Sequence, residues 1–364
     1  MTDHNYCVIL AGGIGTRFWP VSREYKPKQF HTFWGKGHSF LQETWERMSK
    51  VVPESNILVA TLSEYASIVK EQLPHLHEDN LILEPYGRNT APTIAYASNI
   101  LRYRDPEAIM LATPADHAIK DEVLFCNTVR KGMEYAASGN MLLTLGIVPT
   151  RPDTNFGYVQ VSGGSKAALA ESPVKAKTFT EKPDAELAKV FIDSGEFLWN
   201  SGIFIWKVST VLEEMEACCP QISRLWEGWP GPESPDEEAF AQKAYADSLR
   251  ISIDYALMEK SEKVWVLPSK FDWSDLGSWS TLYEYADARD PQGNVLSMKG
   301  PHILKDVRRD ILFNLNPGKL TVVSGMEDYM VIDTDKVLLV CPRDDKRFAG
   351  LLSELALPEY SEFK

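Results

Sequence analysis

The sequence predicts an α/β fold with a mostly parallel sheet, followed by a small β-rich unit at the C-terminal end. In the first half of the chain, short apolar runs alternate with segments of helical periodicity, which is typical of a sheet covered by helices on both faces. After about residue 285 the helical periodicity fades, and short apolar segments are separated by Gly, Asp and Asn. The length of 364 residues fits one large and one smaller domain. We therefore expect a large domain over residues 1–288 and a smaller one over residues 289–364.

Strands and helices alternate regularly over the first 150 residues. The apolar runs of strand length are residues 6–10, 57–61, 81–83, 108–112 and 141–147. Apolar residues recur at helical spacing in residues 40–48, 64–73, 90–102 and 124–137. Thr90 is a suitable cap for the third of these helices, and Pro92 is tolerated in its first turn.

The middle of the chain is more mixed, and the end is rich in short strands. Residues 158–161 and 174–179 are expected to be strands on either side of a Gly/Ser turn. Residues 185–194, 211–218 and 237–246 have helical periodicity, and residues 229–236 form a loop rich in Pro and Gly. The last strand-like segments are residues 311–315, 320–323, 330–332 and 337–340.

Composition and charge exclude several classes of function. Lys plus Arg number 38 against 51 Asp plus Glu, a net charge of −13, and no run offers the basic face that nucleic-acid binding requires. No apolar run approaches the roughly 18 residues that cross a bilayer, and the N-terminal residues do not resemble a signal peptide. The five cysteines are odd in number and lack CxxC spacing, which favours reduced thiols. We expect a cytoplasmic protein that binds neither nucleic acid nor membrane, while a small anionic substrate stays compatible with the charge.

A glycine-rich segment follows the first predicted strand directly. Gly12, Gly13 and Gly15 allow a tight turn that brings backbone N–H groups close to phosphate oxygens, and Arg17 and Lys28 add positive charge. The segment lacks the Gly-Lys-Ser/Thr end of a P-loop and the G-x-G-x-x-G of a dinucleotide site. The pattern predicts a phosphate or nucleotide at this sheet edge, with a purely structural turn as the alternative.

Two further segments carry groups that suit a nucleotide or metal site. Asp116 follows the strand at residues 108–112, at the edge where α/β proteins bind ligands, and a carboxylate there could hold Mg²⁺. Its alternative is a turn or a helix cap. The segment from Glu84 to Pro92 places a carboxylate, a guanidinium and an amide before a helix, groups that suit the edge of guanine. A salt bridge and an N-cap are the alternative for this segment.

Several separated motifs together resemble those of the sugar nucleotidylyltransferases. The loop has the form G-G-x-G-x-R-x-x-P-x-S from Gly12 to Ser22, followed by Pro-Lys-Gln at residues 27–29. Its Phe18-Trp19-Pro20 is similar to the mannose-1-phosphate guanylyltransferase branch. The later motifs occur in the same order, at residues 84–92, 114–117, 157–158, 181–183, 200–202 and 272–277.

The resemblance implies a Rossmann-like nucleotidyltransferase domain with a mixed, mostly parallel sheet and a small C-terminal unit similar to a left-handed β-helix. It implies transfer of GMP from GTP to mannose 1-phosphate with Mg²⁺, giving GDP-mannose and pyrophosphate. It also implies homodimer contacts through the C-terminal unit.

The resemblance assigns four overlapping groups of site residues. The nucleotide-binding residues are Leu10, Ala11, Gly12, Gly13, Gly15, Thr16, Arg17, Lys28, Glu84, Pro85, Arg88, Asn89, Thr90, Ala91, Pro114 and Asp116. The sugar-phosphate-binding residues are Gly157, Tyr158, Glu181, Lys182, Asn200 and Asp275. The metal ligands are Asp116 and Asp275, although no spacing in the sequence pairs them. The catalytic residues are Arg17, Lys28, Asp116, Lys182 and Asp275, acting by positioning and electrostatic stabilisation.

Other functions stay open at this point. The nearest is a nucleotidylyltransferase for another hexose 1-phosphate or another base. A regulatory paralogue that binds a nucleotide sugar without catalysis is a second alternative, although it predicts losses among Arg17, Lys28, Asp116 and Asp275, which are all present. A NAD-dependent oxidoreductase is disfavoured by the broken dinucleotide pattern.

Overall fold

Seventeen strands and ten α-helices are found in the computed structural model, which describes residues 4–13, 15–33 and 37–364. The strands are β1 (Asn5–Leu10), β2 (Ile57–Leu62), β3 (Leu81–Glu84), β4 (Ile109–Pro114), β5 (Ala118–Ile119), β6 (Leu142–Ile147), β7 (Tyr158–Val161), β8 (Val174–Thr180), β9 (Phe197–Lys207), β10 (Val264–Ser269), β11 (Trp273–Ser274), β12 (Val295–Met298), β13 (His302–Arg308), β14 (Ile311–Asn314), β15 (Thr321–Glu327), β16 (Tyr329–Asp333) and β17 (Leu338–Pro342). The helices are α1 (Phe40–Ser49), α2 (Ala66–Gln72), α3 (Thr90–Arg104), α4 (Glu122–Ser138), α5 (Ala185–Ser194), α6 (Val208–Cys218), α7 (Pro220–Ser223), α8 (Glu237–Asp247), α9 (Trp279–Tyr285) and α10 (Asp345–Leu355).

The chain divides into two units, each assembled from separate segments. The first unit contains residues 4–12, 44–115 and 119–273. The second contains residues 13–43, 116–118 and 274–364, apart from the undescribed residues 14 and 34–36. These two units do not test the predicted domain boundary between residues 288 and 289, which stays a prediction.

A mixed sheet of nine described strands forms the centre of the first unit, in the order β3-β2-β1-β4-β9-β6-β10-β8-β7. The strands β1 to β4 are parallel to one another, as the alternation of the first half predicts. The strand β9 is antiparallel to both β4 and β6, and β7 and β8 also pair antiparallel. The α/β class with a mixed sheet is therefore confirmed, and the parallel part is limited to β1–β4 and to the pair of β6 with β10.

Burial explains why the central strands are apolar along their whole length. All six residues of β2 are buried, and Cys7, Val8 and Ile9 of β1 are fully buried. Helix α3 covers one side with a nearly continuous buried surface that includes Ile94. A strand buried on both faces has no polar alternation, so it folds only inside a layered structure of this kind.

The second unit combines the chain after the glycine-rich segment with the C-terminal strands. The parallel strands β12, β14 and β16 form one sheet with antiparallel β17, and the parallel pair β13 and β15 forms another. Phe18 and Phe33 pack against Trp279, with ring centroids 5.1 and 6.0 Å away, and Trp279 also contacts Phe313. The β-rich C-terminal part is therefore present. The described residues contain no left-handed β-helix, so that part of the prediction was not confirmed.

Among the described residues, none of the helices combines the length and the apolar character that crossing a bilayer requires.

Candidate active site

A cavity of about 290 Å³ in the second unit contains four of the predicted catalytic and metal-binding residues. It is lined by residues 15–18, 116–117 and 275–277 together with Lys28. Arg17, Lys28, Asp116 and Asp275 are thus brought to one place, although the two aspartates are far apart in sequence. The structure shows that both aspartates line one cavity, which the sequence alone could not provide, while their role as a pair of metal ligands stays a prediction.

Lys28 is the buried centre of this cavity. Its side chain is only 4% exposed, and its Nζ donates to Asp116 Oδ2 at 3.0 Å and to the Asp275 carbonyl at 2.7 Å. The ammonium also lies 5.4 Å from the ring centre of Phe18 and 5.5 Å from that of Phe40, close enough for cation–π attraction. These contacts fix the ammonium between two backbone segments, so Lys28 organises the cavity as well as charging it.

The glycine-rich segment is shaped around Lys28. Gly15 has φ of 59°, and a Cβ at this position would lie 2.7 Å from the Lys28 Cβ. Only glycine satisfies both conditions at low cost. Gly13 is exposed and its Cβ would meet no described atom within 4 Å, while its carbonyl accepts a hydrogen bond from Gln29 Nε2 at 2.9 Å. Gly15 therefore has a packing role, whereas the space that a Gly13 side chain would occupy is open among the described residues.

Asp116 is suited to carry a negative charge in the cavity. Burial would raise the pKa of its carboxyl, but the Lys28 ammonium and the neighbouring His117 outweigh burial and bring the pKa below its ordinary value. The side chain is 35% exposed, so one part of the carboxylate faces outward while Oδ2 contacts Lys28. An ionised, partly exposed carboxylate is a suitable ligand for a hard cation.

Asp275 lies in a tight turn whose backbone is unusual. The next residue, Leu276, is fully buried and has φ of 46°, a region that side-chain-bearing residues rarely adopt. The turn is closed by hydrogen bonds from the Gly277 N–H to Asp275 Oδ1 and from the Leu276 N–H to Ser274 Oγ, both 3.1 Å. A Cβ at Gly277 would lie 3.3 Å from Arg17 Nη1, so the exposed Arg17 guanidinium reaches this turn.

The two aspartates fit the requirements of a divalent cation. Mg²⁺ binds through one or two protein carboxylates and completes its shell with phosphate oxygens and water. Within the described residues there is no cluster of three or more metal-ligating side chains. The two carboxylates in one cavity fit the protein part of such a donor set.

In the first unit, Glu84 forms a separate buried acidic site. It is 4% exposed, and its Oε2 accepts hydrogen bonds from Thr93 Oγ1 at 2.6 Å and from the Tyr245 hydroxyl at 3.1 Å. Burial raises the pKa of Glu84 to about 7, although these two hydrogen bonds oppose the change. A Cβ at Gly12 would lie 2.9 Å from Oε1, so the glycine leaves room beside this oxygen.

The segment after Glu84 is held mainly by backbone and helix-end contacts. Asn89 has φ of 67° and ψ of −172°, and its side chain caps α3 by accepting from the Thr90 N–H at 2.8 Å. The Arg88 guanidinium donates to the carbonyls of Tyr245 and Ala246, in the last turn of α8, at 2.9 and 3.0 Å. These contacts give Arg88 a structural use in the chain, in addition to the nucleotide contact predicted for it.

Of the other predicted nucleotide-binding residues, Leu10, Ala11 and Pro114 lie at or directly after the ends of β1 and β4, and Ala91 lies in the first turn of α3. Leu10 and Pro114 are cross-strand partners at the ends of β1 and β4. The Ala11 N–H donates to the Ala60 carbonyl at 2.7 Å, and the Ala91 N–H donates to the Ile251 carbonyl at 3.1 Å. Leu10, Ala11 and Pro114 therefore lie at the carboxyl edge of the parallel strands, where α/β folds bind ligands.

A third group, also in the first unit, contains the predicted sugar-phosphate residues. Glu181 Oε1 lies 3.4 Å from Lys182 Nζ, and a Cβ at Gly157 would lie only 2.3 Å from Glu181 Oε2. Burial, followed by the negative charge of Asp254, raises the pKa of Glu181 to about 7, against the opposing effect of Lys182. Lys182 has φ of 48° and is 53% exposed, so its ammonium is accessible to an anionic ligand.

Asn200 and Tyr158 are more strongly engaged by the protein than the sequence indicates. Asn200 Oδ1 accepts from Thr144 Oγ1 at 2.8 Å, and its Nδ2 donates to Asp254 Oδ1 at 2.8 Å. The Tyr158 hydroxyl both donates to the Asp153 carbonyl and accepts from its N–H, at 3.0 Å each. Thr93, Tyr245, Thr144 and Asp254 were not predicted as site residues, because none of them has a local pattern that differs from ordinary helix or strand residues.

Comparison with known proteins identifies the family of the chain. The family model for nucleotidyl transferases matches residues 6–290. The chain therefore belongs to the nucleotidyl transferase family, and the predicted resemblance is confirmed.

Individual relatives define the branch of the family. The chain is 37% identical to a mannose-1-phosphate guanylyltransferase of Escherichia coli (strain K12) over 348 residues, 93% of this chain and 70% of the relative. It is 38% identical to the xanthan biosynthesis protein XanB of Xanthomonas campestris pv. campestris (strain B100) over 343 residues, with the same coverage. A solved structure from Thermus thermophilus, named as a mannose-1-phosphate geranyltransferase, has a TM-score of 0.83 and 28% identity, covering 97% of this chain and all of the other.

Proposed function

We propose that the protein transfers GMP from GTP to α-D-mannose 1-phosphate, giving GDP-mannose and pyrophosphate. An oxygen of the sugar phosphate attacks the α-phosphorus of GTP in line. The bond between the α-phosphorus and its bridging oxygen breaks, and pyrophosphate leaves with the electron pair. A phosphate monoester is already anionic near neutral pH, so the attacking oxygen requires no general base. The protein therefore acts by positioning and by stabilising negative charge.

Residues of the second unit serve the triphosphate. The exposed Arg17 guanidinium binds phosphate oxygens, and the open backbone of Gly13 approaches them closely. Lys28 keeps Asp116 ionised and places a fixed positive charge in the same cavity. Asp116 and Asp275 would hold Mg²⁺, which when bound neutralises charge on the phosphate oxygens.

Residues of the first unit serve the base and the sugar. In its ionised form, Glu84 is supported as the acceptor for the N1–H and N2–H donors of guanine, because the hydrogen bonds from Thr93 and Tyr245 both go to its Oε2. Glu181 is supported as an acceptor for sugar hydroxyls, and the accessible ammonium of Lys182 as the partner of the sugar phosphate.

The main support for this proposal is the cavity around Lys28, which brings Arg17, Asp116 and Asp275 together. The family of the chain supports the reaction class. The test is pyrophosphate release with GTP, ATP, UTP, CTP and dTTP, each combined with several hexose 1-phosphates and with Mg²⁺. We expect release with GTP and mannose 1-phosphate at a rate well above every other pair. A preference for another base or sugar would reject the assignment of substrates, and no release with any pair would favour a binding protein.

Three predictions from the sequence extend this proposal. They are a domain division between residues 288 and 289, homodimer formation through the C-terminal part, and a cytoplasmic location. The dimer is tested by the molar mass of the purified protein in light scattering, where a monomer at micromolar concentration would reject it.

A further inference from the structure

Asp254 lies among the sugar-phosphate residues of the first unit, where neither the motifs nor the resemblance assigned it a role. It begins a π-helical turn, Asp254–Met258, a rare geometry that often occurs at functional sites. Its Oδ1 accepts the hydrogen bond from Asn200 Nδ2 at 2.8 Å. The side chain therefore contacts a predicted sugar-binding residue directly.

The hydrogen bonds around Asn200 fix the orientation of its amide. Oδ1 accepts from Thr144 Oγ1 at 2.8 Å and from the Gly202 N–H at 3.3 Å. Nδ2 uses one of its two N–H groups for Asp254. The oxygen of Asn200 is therefore occupied, and the group that the amide can still offer to a ligand is its second N–H, a donor.

The neighbouring Glu181 side chain offers an acceptor, which complements the N–H donor of Asn200. Its carboxyl is buried beside Gly157, and the cation in contact with it is the half-exposed Lys182. A hydroxyl group of a hexose both accepts and donates, so it can accept from the Asn200 N–H and donate to the Glu181 carboxylate. An amide rotated by 180° would instead present two acceptors to the same hydroxyl.

We propose that Asp254 is a positioning residue for hexose 1-phosphate binding, which holds the Asn200 amide as a donor to a sugar hydroxyl. This inference rests on the proposed function for the choice of ligand. It assigns Asp254 an effect on the sugar phosphate that does not extend to the nucleoside triphosphate. Thr144, on the other side of the amide, supports the same orientation.

The test compares KM values for the two substrates in Asp254→Ala, Asp254→Asn and Thr144→Val. We expect Asp254→Ala to raise the KM for mannose 1-phosphate about tenfold, the effect of one mispositioned hydrogen bond, with an unchanged KM for GTP. Asp254→Asn keeps an oxygen that accepts from Asn200, so it should restore KM to within about threefold of the wild-type value. Thr144→Val should give the same selective rise as Asp254→Ala. Asp193→Ala, an exposed aspartate on α5, is the control and should leave both KM values unchanged.

A double-mutant cycle separates positioning from an independent effect. If Asp254 acts through Asn200, the Asp254→Ala/Asn200→Ala protein should bind the sugar phosphate no more weakly than Asn200→Ala alone. Losses that add, or an unchanged KM in both Asp254→Ala and Thr144→Val, would overturn the inference.

Calorimetric binding of mannose 1-phosphate alone distinguishes this inference from the proposed function. A wild-type protein that binds the ligand without turnover rejects the function, and the Kd values of the variants then decide the role of Asp254. A wild-type protein that neither binds mannose 1-phosphate nor releases pyrophosphate from GTP in its presence rejects both.

Discussion

Replacing Glu84 by Gln should remove a large part of the pH dependence of stability. Burial holds the pKa of Glu84 at about 7 in the folded protein, whereas an ordinary glutamate titrates at 4.5. Between these two pH values the unfolded chain releases this proton and the folded chain retains it. The stabilisation associated with the protonated group is therefore complete below pH 4.5 and is lost as pH rises to about 7. The difference corresponds to about 3 kcal/mol for this buried group.

The measurement is the free energy of unfolding in urea at several pH values from about 5 to 8. The Glu84→Gln protein keeps an oxygen that can accept from Thr93 and Tyr245, so it should fold normally. Relative to the wild type, we expect it to become more stable by about 2–3 kcal/mol as pH rises across this range. Glu233→Gln, at an exposed position in the same unit, should show no such change. A constant difference between the Glu84→Gln and wild-type proteins across this range would refute the raised pKa of this buried carboxyl.

Four further substitutions test the second unit and the sugar-phosphate group. Lys28→Met removes a buried ammonium bonded at 3.0 Å to Asp116, so GTP turnover should fall at least about 100-fold and the free energy of unfolding by about 2 kcal/mol. This loss of stability should shrink only as pH falls below 3.8, through the lowered pKa of Asp116, and a loss that is the same well below pH 3.8 and at pH 7 in urea would contradict the ion pair. Gly15→Ala should lower the free energy of unfolding by about 1–3 kcal/mol, because Gly15 has φ of 59° and its Cβ would contact Lys28. Gly13→Ala should leave the free energy of unfolding unchanged and raise the KM for GTP. Equal effects of the two alanines on urea unfolding would show that this distinction is wrong. Gly157→Ala should raise the KM for mannose 1-phosphate while the KM for GTP stays constant, because the new Cβ would overlap Glu181 Oε2, 2.3 Å away. Parallel changes in both KM values would instead indicate a general distortion of the protein.

The sequence predicted the α/β part of the fold because each strand of β1–β4 is a continuous apolar run followed by a periodic helix. It did not predict β9, although this strand lies at the centre of the sheet. The polar Asn200, Ser201 and Gly202 interrupt its apolar pattern, and their burial is possible only because neighbouring strands satisfy them. A local apolar pattern therefore identifies a strand only where the strand has no buried polar residues that need hydrogen bonds from neighbouring strands.

In the candidate site, too, some residues can be recognised from the local sequence, whereas others are identified only by contacts with distant parts of the chain. The glycine-rich segment, Arg17 and Lys28 lie close together in the chain and could be recognised from the sequence. The partners that set the chemistry of Glu84 and Asn200 are Tyr245 and Asp254, which are 161 and 54 residues away. Such partners are ordinary residues in their local sequence, so only the fold identifies them.

Transfer of the GMP group is tested most directly by the fate of labelled phosphorus. GTP labelled at the α-phosphorus, or in parallel at the γ-phosphorus, is incubated with mannose 1-phosphate and Mg²⁺, and the products are separated. The α label should appear in GDP-mannose and the γ label in pyrophosphate, in equal molar amounts. A γ label found in inorganic phosphate or on the sugar, with the α label left in GDP, would contradict attack at the α-phosphorus.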